Sequence, residues 1–188
     1  MSSKFFLILG PSGVGKGTLL KRLKEDHKEI YFAVSNTTRS PRPGEIEGET
    51  YHFVTVDQFE KGIQDGDFLE HACVHQSNYY GILKVPILKA LAEGKTVIRE
   101  VDFQGLQQIK ANWNYDYPMI SVFFLPPPWS VLKKRIMARA PISEEELKHR
   151  EESLSLEMQY APHCDVQMPT VDGDIEASYQ NLLKVIFN

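Results

Sequence analysis

The stretch Phe5-Phe6-Leu7-Ile8-Leu9-Gly10-Pro11-Ser12-Gly13-Val14-Gly15-Lys16-Gly17-Thr18 decides the fold. Its first five residues are all apolar. A short, uninterrupted apolar run closed by a glycine suits a parallel strand covered on both faces. The next seven residues fit the pattern G-x-x-x-x-G-K. Beyond them Leu19, Leu20 and Leu23 recur at helical spacing among Lys21, Arg22, Lys24 and Glu25. The order is therefore strand, glycine-rich turn, helix. Glycines let the backbone curl so that several N–H groups point at one phosphate, and the helix N-terminus adds partial positive charge there. Lys16 is placed to reach between the β- and γ-phosphates of a nucleoside triphosphate. Gly10 to Thr18, that is Gly10, Pro11, Ser12, Gly13, Val14, Gly15, Lys16, Gly17 and Thr18, are the candidate triphosphate-binding residues. In many such loops a Ser or Thr follows the lysine and holds Mg²⁺. Here Gly17 follows, then Thr18. Mg²⁺ is thus expected to be held mainly by phosphates and water, with Thr18 as an indirect helper.

Downstream the texture changes. From Ser35 to about Leu83, turn residues, prolines and short alternating stretches dominate, which predicts a small, mostly antiparallel insert with one helix near Val56 to Ile63. A helix from about Lys84 to Glu93 is stopped by Gly94. Thr96-Val97-Ile98 opens a strand ending near Glu100 and Asp102, and a helix near Leu106 to Lys110 follows. Met119 to Leu125 is a further strand, closed by Pro126-Pro127-Pro128. Trp129 to Arg139 and Ser143 to Gln159 read as charged helices, with Ser143 and Glu146 in capping-box spacing. Val166 to Met168 is a last short strand and Ile175 to Phe187 a closing helix. Strands alternating with helices predict an α/β fold with a parallel sheet flanked by helices.

The 188 residues suit one domain with small mobile parts. A net charge of −4 argues against nucleic-acid and membrane-surface partners. The apolar run Phe5 to Leu9 is too short for a signal peptide or a membrane span of about 18 residues, so a cytoplasmic location is expected. Cys73 and Cys164 lie far apart and read as buried or half-buried thiols. The six histidines show no metal-ligand spacing.

The segment Thr37-Thr38-Arg39-Ser40-Pro41-Arg42-Pro43-Gly44-Glu45 carries two arginines three apart in a proline-stiffened loop. Such a pair can fork onto the phosphate of a monophosphate, and Tyr51 and Tyr80 can add phenolic donors. Glu100 and Asp102 end a strand, where open α/β sheets place their ligand crevice; an acid there can order Mg²⁺ waters or contact an acceptor. Arg99 within that strand requires a carboxylate partner, which sequence alone does not name.

These pieces together resemble the guanylate kinases, P-loop kinases of nucleoside monophosphates. The resemblance covers the phosphate loop, the insert with Tyr51-His52-Phe53-Val54, Phe68-Leu69-Glu70-His71-Ala72, Tyr79-Tyr80-Gly81, Asp102-Phe103-Gln104-Gly105 and a late arginine-rich helix. It implies a P-loop NTPase-type core over about 1–34, 84–135 and 161–188, a GMP-binding insert over about 35–83 and a helical lid over about 136–160. It implies ATP on the loop residues 10–18, and Ser35, Arg39, Arg42, Glu45, Tyr51, Glu70, Tyr80 and Asp102 around GMP. Guanine presents N1–H and N2–H donors, which carboxylates at Glu70 and Asp102 would accept. Arg135, Arg139 and Arg150 resemble the arginines that close over the ATP phosphates. Closure would exclude water, which would otherwise let ATP be hydrolysed.

The reaction implied is GMP plus Mg·ATP giving GDP plus ADP, within purine nucleotide metabolism. Lys16, Arg39, Arg42, Arg135, Arg139 and Arg150 would supply positioning and charge, with Mg²⁺ as cofactor and Thr18 or Glu100 as its indirect helpers. The partners expected are ATP and GMP alone, on a monomer or homodimer. The sequence departs from the family where Ile82 replaces a Ser or Thr beside the base, where His75-Gln76-Ser77-Asn78 adds a residue, and where Met168-Pro169-Thr170-Val171-Asp172-Gly173 lacks an Asn-Asp pair near adenine. Two alternatives follow: a related kinase acting on another nucleotide or a sugar phosphate, and a non-catalytic binding module of the same fold.

Overall fold

The computed structural model describes residues 3–74, 78–139 and 142–188, with the side chain of Arg139 outside the described set. The longer-segment reading around His75, Gln76 and Ser77 falls outside the described residues. The chain divides into two compact units, Met1–Phe5 with Glu29–Pro118, and Phe6–Lys28 with Met119–Asn188.

The first unit holds β2 (Tyr31–Phe32), β3 (Asn36–Thr37), β4 (His52–Phe53), α2 (Val56–Gln64), β5 (Phe68–Val74), β6 (Asn78–Leu83), α3 (Lys84–Ala92), β7 (Val97–Glu100) and α4 (Phe103–Asn112). Strands β2 and β7 pair in parallel, with Tyr31 opposite Val97 and Phe32 opposite Ile98. The other strands form a four-stranded sheet in the order β4-β3-β6-β5, antiparallel at β3–β6 and β5–β6 and parallel at β3–β4. Its core is aromatic: the Phe59 ring of α2 stacks on Phe68 at 4.3 Å and on Tyr79 at 5.2 Å between centroids. Helix α2 starts on a complete capping box, in which the Thr55 hydroxyl accepts from Gln58 N and the Gln58 side chain accepts from Thr55 N.

The second unit holds most of β1 (Phe5–Leu9), then α1 (Lys16–Asp26), β8 (Met119–Leu125), α5 (Trp129–Arg139), α6 (Glu144–Met158), β9 (Val166–Pro169) and α7 (Ile175–Phe187). All five residues of β1 are buried, as a strand covered on both faces requires. Strands β8 and β9 pair in parallel from Val122–Val166 to Leu125–Pro169. Helices α1 and α7 are tied by Tyr179, whose hydroxyl donates to Asp26 at 2.8 Å beneath the Arg22 guanidinium. The parallel sheet and its helices are as the strand–helix alternation predicts.

Three local expectations are corrected. Helix α4 starts at Phe103, earlier than Leu106, because the Asp102 carboxylate caps it by accepting from Gly105 N at 2.7 Å. The capping box at Ser143 is half made: Ser143 accepts from Glu146 N, while the Glu146 carboxylate turns to Arg150. Cys73 is exposed near the end of β5, and only Cys164 is buried. Among the described residues no helix is long and apolar enough to cross a membrane.

Candidate active site

The phosphate loop lies in the second unit. Gly10, Gly13 and Gly15 all have positive φ, at 140°, 83° and 106°, a curl that side chains oppose. At Gly10 the need is steric as well, since a Cβ would stand 2.7 Å from the Phe124 carbonyl oxygen of β8. Lys16, the first residue of α1, folds its ammonium over the loop and donates to the Gly10 and Pro11 carbonyls at 2.5 and 3.1 Å. Gly17 and Thr18 are exposed in the first turn of α1.

A cavity of about 200 Å³ opens beside Pro11 and Ser12, walled by Leu132 and Ile136 of α5 and by Arg150 and Glu157 of α6. Arg150 donates to the Ser12 hydroxyl at 3.3 Å and pairs with Glu146 at 2.9 Å. Burial pushes the Glu157 carboxyl above its ordinary range, against the pull of the Lys16 charge. Arg135 pairs at 2.8 Å with Asp172, in the loop between β9 and α7. Arg139 ends α5, one turn beyond Arg135; its side chain is outside the described residues. Sequence reasoning missed Glu157, whose position in a charged helix carries no distinguishing signal.

The second cluster lies in the first unit, on the four-stranded sheet. Arg39 follows β3 and is mostly buried. Its guanidinium donates to both Glu45 oxygens at 2.8 and 3.0 Å, to the Tyr80 hydroxyl at 3.1 Å and to the Ser40 carbonyl. It also stands 5.5 Å from the Tyr51 ring centre, and Tyr51 meets Tyr80 edge-on. The Arg39 hydrogen bonds and the Arg42 backbone N–H hold the Glu45 carboxyl below its ordinary range. The structure thus brings Arg39, Glu45, Tyr51 and Tyr80 together. The Arg42 side chain is exposed; only its backbone N–H enters the cluster, donating to Glu45 at 2.7 Å. Ser35 is buried just before β3, and its carbonyl accepts from His52 N.

Further along the same strand pair, Glu70 of β5 sits opposite Ile82 of β6, as Ala72 sits opposite Tyr80. Residues two apart on a strand share a face, so Glu70 and Tyr80 lie on one face of the sheet. The carboxylate partner that Arg99 requires is Glu70, at 3.5 Å, with both side chains mostly buried. Burial raises the Glu70 pKa above the usual carboxylate range; Arg99 pulls it down and Asp102 pushes it up. Asp102 is exposed and spends one oxygen on the α4 cap. Glu100, exposed, ends β7. The available signal for the Glu70–Arg99 pair was the arginine itself, set in an apolar strand.

The sequence model of the guanylate kinase family matches residues 2–188. The chain belongs to the guanylate kinase family. It is 40% identical over 186 residues to the guanylate kinase of Trichormus variabilis, covering 99% of this chain and 90% of that one. It is 45% identical over 154 residues to the guanylate kinase of Clostridium perfringens, covering 82% and 69%. The crystal structure of guanylate kinase from Anaplasma phagocytophilum matches with a TM-score of 0.69 at 24% identity, over 99% of this chain and 85% of that one, a likeness of fold. The chain is therefore an enzyme, a nucleotide-binding kinase of this P-loop family, and the reading as a non-catalytic module falls away.

Proposed function

We propose that the enzyme transfers the γ-phosphoryl group of Mg·ATP to GMP, giving GDP and ADP. The observation that carries this reading is on the four-stranded sheet. A guanidinium–phenol cluster, Arg39 with Tyr51 and Tyr80, shares one face with the mostly buried carboxylate of Glu70. Two residues along a strand span roughly 7 Å. A phosphate-binding end and an acceptor for base N–H groups on one face suit a nucleoside monophosphate whose base is guanine.

In this reading Arg39, Arg42, Tyr51 and Tyr80 hold the GMP phosphate, and Glu45 fixes Arg39 in place. Ser35, Glu70 and Asp102 take the base. The loop residues 10–18 hold ATP, and Lys16, Arg135, Arg139 and Arg150 meet its phosphates. The insert over 35–83 is the acceptor-binding part and 136–160 the lid. The attacking phosphate is already anionic near neutral pH, so no side chain has to remove a proton. Catalysis is positioning and charge neutralisation.

Among the described residues no group of three or more His, Cys, Asp or Glu could hold a metal ion. Beside the phosphate loop the oxygens on offer are hydroxyls, the exposed Thr18 among them. That donor set fits a Mg²⁺ that arrives on the ATP phosphates and keeps most of its waters. When bound, the ion would neutralise charge on the β- and γ-phosphates.

The test is ADP release from Mg·ATP, coupled to NADH oxidation, with GMP, dGMP, AMP, CMP and UMP offered separately. ADP release strongly favouring GMP, lost by roughly 10²–10³ in Lys16→Ala, is expected. Preference for another acceptor, or ATP hydrolysis without one, overturns the reading. Ile82 favours the second reading, a related kinase with a different acceptor, because it puts an apolar, buried side chain opposite Glu70.

A further inference from the structure

Arg99 stands in a strand whose two preceding residues, Val97 and Ile98, are fully buried. Its Nη2 lies 3.5 Å from Glu70 Oε1, and the two side chains are 19% and 12% exposed. The Arg99 Nε is buried with no hydrogen-bond partner among the described residues. A buried donor left without an acceptor is costly, and such groups in native proteins generally have a reason.

The surroundings of Glu70 narrow that reason. Across the strand pair, β6 presents Ile82, which has no polar atom. From α4, Gly105 comes so close that a Cβ there would stand 3.7 Å from the Glu70 carboxyl carbon. The charged neighbours are Asp102, of like sign, and Arg99, the ion-pair partner the structure gives Glu70 among the described residues. Next to Glu70 on β5, His71 lies edge-on to Phe68. Arg99 is thus the cationic donor beside this carboxylate.

Guanine carries N1–H and the 6-oxo group on adjacent ring atoms, a donor next to an acceptor. Its complement is an acceptor next to a donor, and the Glu70–Arg99 pair has that order. Adenine presents the reverse, an N1 acceptor beside a 6-amino donor, and would face both groups with like polarity. We propose that Arg99 is a specificity-determining residue of the acceptor site: it keeps Glu70 in place as an anion and donates to the 6-oxo group of the base, supplying the polar contact that Ile82 lacks. The proposal rests on the reading of Glu70 as the guanine acceptor.

Loss of Arg99 has a second consequence. Burial and Asp102 both favour a protonated Glu70, and Arg99 opposes them. A protonated Glu70 cannot accept from both N1–H and the 2-amino group. Removing Arg99 therefore moves the acid limb of kcat/KM for GMP to higher pH.

The experiment measures kcat/KM for GMP, 6-thio-GMP and IMP between pH 5 and 9 in the wild type, Arg99→Met and Arg99→Lys. Sulfur accepts hydrogen bonds weakly, and IMP lacks the 2-amino group while keeping N1–H and the oxo group. Arg99→Met is expected to lose about 10- to 100-fold in kcat/KM for GMP, mostly through KM. It also loses the wild-type preference for GMP over 6-thio-GMP, keeps the preference for GMP over IMP, and shows the acid limb at higher pH. Arg99→Lys restores the acid limb and not the preference over 6-thio-GMP. A wild type that uses 6-thio-GMP as well as GMP overturns the proposal without any variant. So does an Arg99→Met, or an Arg99→Lys if the methionine variant fails to fold, with the wild-type ratios and acid limb intact. A wild type inactive on every guanine nucleotide while active on another acceptor removes the underlying reading of Glu70 and this inference with it, a distinct outcome.

Discussion

Arg150 of α6 donates to the Ser12 hydroxyl of the phosphate loop at 3.3 Å while its other nitrogens hold Glu146, one turn back on the same helix. The arginine is 38% exposed, and an exposed pair at this spacing contributes about 0.3–0.5 kcal/mol. Structure alone gives Arg150 little reason to matter for stability. Its place over the loop gives it reason to matter for transfer. Arg150→Ala is expected to leave the melting temperature within about 2 °C and to lower kcat by 10²-fold or more. A matched thermal melt and coupled assay decide it. A rate loss that follows the melting temperature would make Arg150 a strut and remove it from the phosphate-binding set.

Gly17 is the second prediction. It lies in the first turn of α1 with no positive φ, and a Cβ there would meet nothing within 4 Å. A serine fits without strain and improves helix propensity by roughly 0.5 kcal/mol. It also puts a hydroxyl where many phosphate loops hold Mg²⁺ directly. Gly17→Ser is expected to melt slightly higher and to need less Mg²⁺ for half-maximal activity. An unchanged Mg²⁺ titration would show that the ion does not approach this turn, and would leave phosphates and water as its holders.

The phosphate loop and the parallel strands were legible in the sequence because each is a local pattern: five apolar residues, a glycine turn, then leucines at helical spacing. Strand β2 was not, because two residues carry no period. Asp102 was legible as an acid at a strand end and not as the α4 cap, since a capping carboxylate and a binding carboxylate look alike until the helix is placed. The half-made box at Ser143 failed for a related reason. Glu146 had two possible partners, and Arg150 offers a charge where the Ser143 N–H offers a dipole. The partner of Arg99 could not be named because Glu70 reaches it by tertiary packing between strands of two different sheets, β5 and β7, which lie far apart in sequence.

Glu45 gives a prediction in pH. Its carboxyl is held below the usual range first by the Arg39 hydrogen bonds and then by the Arg42 N–H. A carboxyl whose folded pKa is depressed contributes stability that is fully present above its unfolded pKa and is lost as pH falls through the folded one. The unfolded value is about 4.3, so the loss lies below that pH. Glu45→Gln is expected to melt below wild type at neutral pH and to show a shallower fall in melting temperature between about pH 4.5 and 3. It should also raise KM for GMP, because Arg39 loses its bidentate anchor. Melting curves of the two proteins across that window check the first claim. Parallel curves would mean that Glu45 titrates alike in the folded and unfolded chains and that the pair contributes nothing to folding.

Gly10 and Gly15 separate crowding from strain. Both have positive φ, 140° and 106°. A Cβ at Gly15 meets nothing within 4 Å, whereas at Gly10 it would stand 2.7 Å from the Phe124 carbonyl oxygen and 3.0 Å from its Cβ. Phe124 is fully buried in β8, which pairs with β9 at that residue, so the strand has little room to yield. Gly15→Ala then carries backbone strain alone, about 1–3 kcal/mol. Gly10→Ala adds overpacking, about 1–3 kcal/mol more, for a total of roughly 2–6 kcal/mol. At about 2–4 °C per kcal/mol for a chain of this size, Gly10→Ala should melt several degrees to about 20 °C below wild type and clearly below Gly15→Ala. Equal losses in the two variants would mean that Phe124 moves aside. The close approach of the loop to β8 would then not be what fixes Gly10.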